Sequence, residues 1–191
     1  MKPLAEMEGE SLTWTQLRAG HYTLRGGEDV FAQFRYQTAS GSLATGEASR
    51  ARWTFRRIGL QRPRITARRA GQEKDVAVLK HSGRGEALLE LADGRQFRWK
   101  ATRARRREKG FYDPTGELIL RFYPQPVPGK VQARVELGQG WLGMAELPLL
   151  VLIGWYRWLI EVNELMAMTA SATAGRTIPS RKGTRRLPSI R

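Results

Sequence analysis

The sequence predicts an all-β protein: a closed antiparallel barrel of about twelve strands around one apolar C-terminal helix. Apolar and polar residues alternate in short runs from Trp14 to Leu137, as they do in strands with one wet face. Turn chemistry interrupts those runs at regular intervals. One late segment, Leu147-Pro148-Leu149-Leu150-Val151-Leu152-Ile153-Gly154-Trp155-Tyr156 followed by Arg157-Trp158-Leu159-Ile160, is apolar all round. A helix without a polar face has to be enclosed by protein or by lipid.

Six strands are expected near Trp14–Leu17, His21–Leu24, Val30–Tyr36, Leu43–Ala48, Ala51–Arg57 and Arg64–Arg68. Six more are expected near Asp75–Lys80, Glu86–Leu91, Gln96–Ala101, Glu108–Tyr112, Leu118–Tyr123 and Lys130–Leu137. In the third, Val30, Ala32, Phe34 and Tyr36 share a face opposite Gln33 and Arg35. Trp53 and Phe55, Phe97 and Trp99, and the series Val131, Ala133, Val135 and Leu137 alternate with polar neighbours in the same way. Gly26-Gly27, Gly41, Gly71, Gly83-Arg84-Gly85, Asp93-Gly94, Asp113-Pro114-Thr115-Gly116 and Pro128-Gly129 separate the runs. Asp93-Gly94 predicts a two-residue hairpin turn with positive φ at both positions.

So many short strands would leave unpaired edges, and closure removes them. The 14-residue apolar run spans roughly 21 Å as a helix. That is short of a membrane core of about 30 Å and close to the height of a tilted strand of about six residues. The helix is therefore expected inside the barrel, with Leu150, Leu152, Ile153 and Trp155 buried and Gly154 at a close crossing of a strand. Arg157, one turn before Glu161, is expected as an exposed pair marking the helix exit.

A resemblance follows from three stretches: Phe111-Tyr112-Asp113-Pro114-Thr115-Gly116-Glu117-Leu118-Ile119-Leu120, then Val131-Gln132-Ala133-Arg134-Val135, then Leu149-Leu150-Val151-Leu152-Ile153-Gly154-Trp155. Hairpin strands followed by an apolar C-terminal helix resemble the superfamily of tubby C-terminal domains, LURP-one-related proteins and phospholipid scramblases, over about Trp14 to Ile160. The resemblance implies a barrel of about twelve strands around a central helix. It also implies ligands found in that superfamily, phosphoinositides for tubby-like domains and membranes for scramblases. The chain departs from scramblases in lacking a cysteine-rich segment and a further apolar span after the helix. No phosphoinositide site carries over residue by residue.

Three regions are expected: a flexible acidic N-terminus over 1–10, the barrel with its helix over 11–168, and a disordered basic tail over 169–191. The absence of cysteine excludes disulfides, thiol catalysis and thiolate metal sites. Met1 to Glu10 holds three glutamates and no apolar leader core, so a cytoplasmic location is expected. The only histidines, His21 and His81, have no cysteine or second histidine at ligand spacing, and Gly83-Arg84-Gly85 lacks the lysine–hydroxyl ending of a phosphate loop. No catalytic, cofactor or metal site is expected, and the protein reads as non-enzymatic.

The net charge of +15, with arginine outnumbering lysine 26 to 7, points to a polyanionic partner. Codon bias accounts for arginine over lysine but not for the shortage of acids. Candidate anion-binding residues form three groups. Arg56, Arg57, Arg62, Arg64, Arg68 and Arg69 occupy two adjacent strands and their connection, and pairing of those strands would project alternate arginines into an outer stripe suited to phosphates. Arg103, Arg105, Arg106, Arg107 and Lys109 lie in a turn-and-strand segment. Arg176, Arg181, Lys182, Arg185 and Arg186 lie in the tail, which could order on an acidic partner. The plain alternative is a solvated exterior. Trp53, Phe55, Phe97 and Trp99 fall in the inward phase and read as core rather than as stacking platforms. The expected function is that of a binding or accessory protein for nucleic acid or a ribonucleoprotein. The alternatives are a module for phosphoinositides or other anionic lipids, and a structural subunit of a larger assembly.

Overall fold

A computed structural model of the chain describes residues 1–4, 11–59, 63–83, 85–103, 108–139, 141 and 143–174. All twelve expected strands are present: β1 (Leu12–Arg18), β2 (His21–Gly26), β3 (Asp29–Tyr36), β4 (Leu43–Ala48), β5 (Ala51–Ile58), β6 (Arg64–Arg69), β7 (Asp75–Gly83), β8 (Glu86–Leu91), β9 (Gln96–Arg103), β10 (Glu108–Tyr112), β11 (Leu118–Pro124) and β12 (Gln132–Leu137). Each pairs antiparallel with its neighbours in sequence, and β1 closes the barrel on β12 with Leu12 opposite Val135 and Trp14 opposite Ala133. Closure leaves no edge strand, which is why so many short strands coexist.

The helix α1 (Leu147–Ala174) follows. Among the described residues, those up to Trp158 form one compact unit and those from Leu159 a second. Within the first, the helix threads the barrel. Leu150, Leu152, Ile153 and Trp155 are each 0% exposed. Trp155 stacks on Trp14 at 4.9 Å and 7°, and Tyr22 meets Trp155 edge-on at 5.3 Å. Tyr156 packs against Phe34 and Phe55, and its hydroxyl donates to the Gly41 carbonyl at 2.5 Å. The indole N–H groups of Trp14 and Trp155 find no acceptor among the described residues, a desolvation cost set against the burial of two large rings.

Two glycines let sheet and helix interlock. A Cβ on Gly46 of β4 would stand 2.8 Å from Leu152 Cδ2, so Leu152 occupies the space that side chain would take. A Cβ on Gly154 would stand 2.8 Å from Phe122 Cε2 and 3.1 Å from Phe111 Cε2. The close approach expected at Gly154 is therefore made by rings from β11 and β10 rather than by a strand backbone.

Three local features differ from the sequence reading. Arg157 is 8% exposed and buried, because the enclosed stretch of helix runs on through it. The helix continues to Ala174, past the 168 boundary, while the tail from 175 lies outside the described residues. At Asp93-Gly94 only Gly94 has positive φ (88°), and its N–H bonds the Leu91 carbonyl at 2.9 Å. The link is a turn over Ala92-Asp93 followed by a left-handed glycine, the usual three-residue hairpin. The two-residue turn with both φ positive occurs instead at Ser49 (48°) and Arg50 (63°), between the paired Ala48 and Ala51.

Glu146 caps the helix start, its carbonyl accepting from Leu150 N–H at 3.0 Å, and Pro148 sits in the first turn where no donor is needed. Arg95, beside the β8–β9 turn, bridges Asp93 at 2.6 Å and Glu146 at 2.5 Å. Among the described residues no helix is long and apolar enough to cross a membrane.

Candidate anion-binding surface

β5 and β6 pair with Thr54 opposite Arg68, Arg56 opposite Thr66 and Ile58 opposite Arg64. Across this ladder Arg56, Arg64 and Arg68 each face a neutral residue, whereas on the other side of β6 Arg64 stands opposite Lys80, a like-charge pair that Glu90 offsets by binding Lys80. Arg56 stands diagonal to both Arg64 and Arg68, a spacing of about 7–8 Å between such positions. Arg68 donates to Asp75 at 3.2 Å, whereas Arg56 and Arg64 are exposed and meet no carboxylate among the described residues.

Two of the sequence candidates point elsewhere. Arg57 shares the inward phase of Trp53 and Phe55, opposite the buried Ile65, and its backbone N–H bonds the Ser42 carbonyl at 2.8 Å. Its charge opposes the effect of burial, which pushes the Tyr156 phenol up to about 12. Arg69 lies at the other end, opposite Trp53, exposed, where it borders an open hollow of about 250 Å³ with Arg95, Glu146 and Leu149. Lys109 turns back to donate to the Gly85 carbonyl at 3.1 Å. Arg103 ends β9 opposite Glu108. Arg62, Arg105, Arg106, Arg107, Arg176, Arg181, Lys182, Arg185 and Arg186 lie outside the described residues.

Register adds partners that single strands do not reveal. Ile58, Arg64, Lys80, Leu88, Arg98 and Tyr112 stand opposite one another in turn, one from each strand of β5 to β10. At about 4.8 Å per strand this transverse row covers roughly 24 Å of the outer wall. Lys80 is paired with Glu90 at 2.9 Å, and Lys100 lies over the Tyr112 ring at 4.2 Å. Arg98 is exposed and, like Arg56 and Arg64, has no acidic partner among the described residues. Lys80 is the single Lys or Arg of β7, and Arg98 lies apart from the arginine-rich stretch that begins at Arg103, so no local run marked them.

On the adjoining strands β11 and β12 the cations are paired. Glu136 accepts from Arg121 at 2.7 Å, from Arg134, and from the Tyr123 hydroxyl at 2.8 Å, while both arginines also lie against the Tyr123 ring. Pairing as well as sequence therefore decides which of the described cations stay uncompensated. Unpaired guanidiniums can hold phosphate, sulfate or carboxylate through charge-assisted hydrogen bonds. No group of three or more His, Cys, Asp or Glu side chains that could hold a metal occurs among the described residues.

No protein-family model and no curated protein matches the chain. Among solved structures it is similar to an Arabidopsis thaliana protein determined by X-ray crystallography, with a TM-score of 0.51 and 13% identity. The match covers 81% of this chain and 92% of that one. At this identity the likeness is one of fold.

Proposed function

We propose that this barrel is a non-catalytic binding protein whose outer wall over β5–β10 engages nucleic acid through its phosphates. The observation that carries the reading is the set Arg56, Arg64 and Arg98, three exposed guanidiniums without carboxylate partners among the described residues: Arg64 and Arg98 share the transverse row three strands apart, and Arg56 stands diagonal to Arg64. Phosphate contacts position a nucleic acid and do not read its sequence, so low sequence preference is expected. We also infer distant membership of the tubby C-terminal-like, LURP-one-related and scramblase superfamily, on the segment resemblance and the shared barrel-with-helix plan. A lipid reading is favoured by one observation: Ile58, 37% exposed, and the half-buried Leu88 lie in the same row and could meet acyl chains.

The test is a triple reversal, Arg56→Glu, Arg64→Glu and Arg98→Glu, against a scattered control of equal charge, Arg25→Glu, Lys74→Glu and Lys130→Glu. Binding to single-stranded oligonucleotide is read by fluorescence anisotropy across a salt series. The clustered reversal should abolish tight binding and lower the salt slope by about 2, at about 0.7 per phosphate contact. The scattered set should do far less. Equal losses from both sets would reduce the surface to net charge alone. Sedimentation with anionic vesicles, without oligonucleotide binding, would establish the lipid reading instead.

A further inference from the structure

A second site lies on the wall away from that row. A groove of about 640 Å³ runs over the outer face of β1–β5, within the size range of small-molecule sites, about 300–1,000 Å³. Its origin is structural. On the inside Leu152 fills the place of the missing Gly46 side chain, so β4 rides close on the helix there, and the groove lies on the outer side of the same residue. At the β1 end the register shifts between Gln16 and Arg18, a bulge that leaves Leu17 64% exposed as one wall.

The groove carries a defined set of donors. Arg18 Nε donates to His21 Nδ1 at 3.2 Å, which fixes His21 as the tautomer with a proton on Nε2. His21 stands directly opposite Arg35 in the β2–β3 ladder. Partial burial, with Arg18 and Arg35 adding to it, holds the His21 pKa below its ordinary value, so the ring is a neutral donor at pH 7. Arg52 is neutralised by Glu47 at 3.0 Å. Arg18 and Arg35 meet no carboxylate among the described residues, which leaves two positive charges in the groove. Gln33 and Thr45, whose hydroxyl accepts from Gln37 at 2.8 Å, add hydrogen-bonding groups to its lining.

We propose that this groove binds a phosphate monoester, held between Arg18 and Arg35 with His21 Nε2–H as a third donor. A monoester carries about −1.5 to −2 at pH 7 and three terminal oxygens, matching two uncompensated guanidiniums and a neutral donor. A diester offers one charge and two terminal oxygens and leaves a cation unmatched. The polar lining suits a hydroxylated body attached to the phosphate. The site is independent of the β5–β10 row and of the function proposed for it.

The probes are ribose 5-phosphate, ribose and diethyl phosphate, followed by calorimetry and by the His21 ring resonances in NMR. Ribose 5-phosphate should bind at least tenfold more tightly than either control and shift the His21 signals. Arg35→Gln and Arg18→Gln should each weaken it at least tenfold, whereas Lys74→Gln, outside both surfaces, should leave it unchanged. Both groove arginines are exposed, so the variants should keep the native near-UV spectrum. Equal affinity for diester and monoester, an equal loss with Lys74→Gln, or unmoved His21 signals would overturn the site. A decathymidylate with and without a 5′ phosphate decides the source of the ester. Tighter binding of the phosphorylated strand identifies a nucleic-acid end, and equal binding of the two identifies a free small molecule.

Discussion

Gly46 and Gly154 show how much of this core rests on the absence of a side chain. Leu152 lies where a Gly46 side chain would be, 2.8 Å from its Cβ position. Leu152→Ala should cost about 2–5 kcal/mol in urea denaturation, the range for a buried leucine truncated to alanine. Gly46→Ala should also destabilise the wild type, by about 1–3 kcal/mol of overpacking. In the Leu152→Ala background the same change fills the vacated space, so the double mutant should be more stable than the two losses summed. A strictly additive pair would mean the contact is not close. Arg50 makes the opposite case. With φ of 63° it sits in the left-handed region, which a side chain other than glycine occupies at a cost of about 1–2 kcal/mol. Arg50→Gly should therefore raise stability by about 0.5–1 kcal/mol once the greater freedom of the unfolded glycine is subtracted. An unchanged or lower denaturation midpoint would show that the turn holds no such strain.

The elements meet at one electrostatic junction, where Arg95 from the β8–β9 turn joins Glu146 at the helix start. The Arg95 guanidinium hydrogen-bonded to Glu146 holds that carboxyl below its ordinary range, and the same arginine lowers Asp93. A depressed carboxyl pKa means the unfolded chain takes up protons first as pH falls. The stabilisation is then fully present above the ordinary carboxylate range and is lost as pH drops through the folded value. Arg95→Met should lower the melting temperature at pH 7, and the gap to wild type should close towards pH 2. A gap that is constant with pH would assign the effect to packing of the arginine stem instead. That Asp93 would pair with Arg95 is visible in the local sequence, but Glu146 is 51 residues away and only the closed barrel brings it to the turn.

At the scale of the whole molecule, the helix fills a barrel that has no other core. Trp14, Phe34, Phe55, Trp99, Phe111 and Phe122 are all buried, with all but Trp99 against Trp155, Tyr156 or Gly154 on the helix. Deleting everything from Glu146 onward should leave these rings facing an empty lumen, and the product should aggregate. A soluble truncated barrel with a native near-UV spectrum would contradict that dependence.

The sequence by itself determined the class, the twelve strands, the inward face of nearly every strand and the enclosure of the helix. These follow from periodicity and from the energetics of burial, which act residue by residue along the chain. Tertiary structure alone decided which outward cations become neighbours. Lys80 and Arg98 join Arg64 because three ladders bring them into register, and Arg57 and Arg69 leave the stripe because the pleat puts them in the other phase, Arg57 half-buried and Arg69 exposed at the strand end. It alone decided which charges remain unpaired, since Asp75, Glu90 and Glu136 each neutralise a cation on a neighbouring strand. The same holds for the groove of Arg18, His21 and Arg35, which depends on a bulge and on a helix side chain pressing under β4. The physical reason is common to all three. Burial is encoded in single residues, whereas a surface site is a relation between strands whose offsets are set only when the barrel closes.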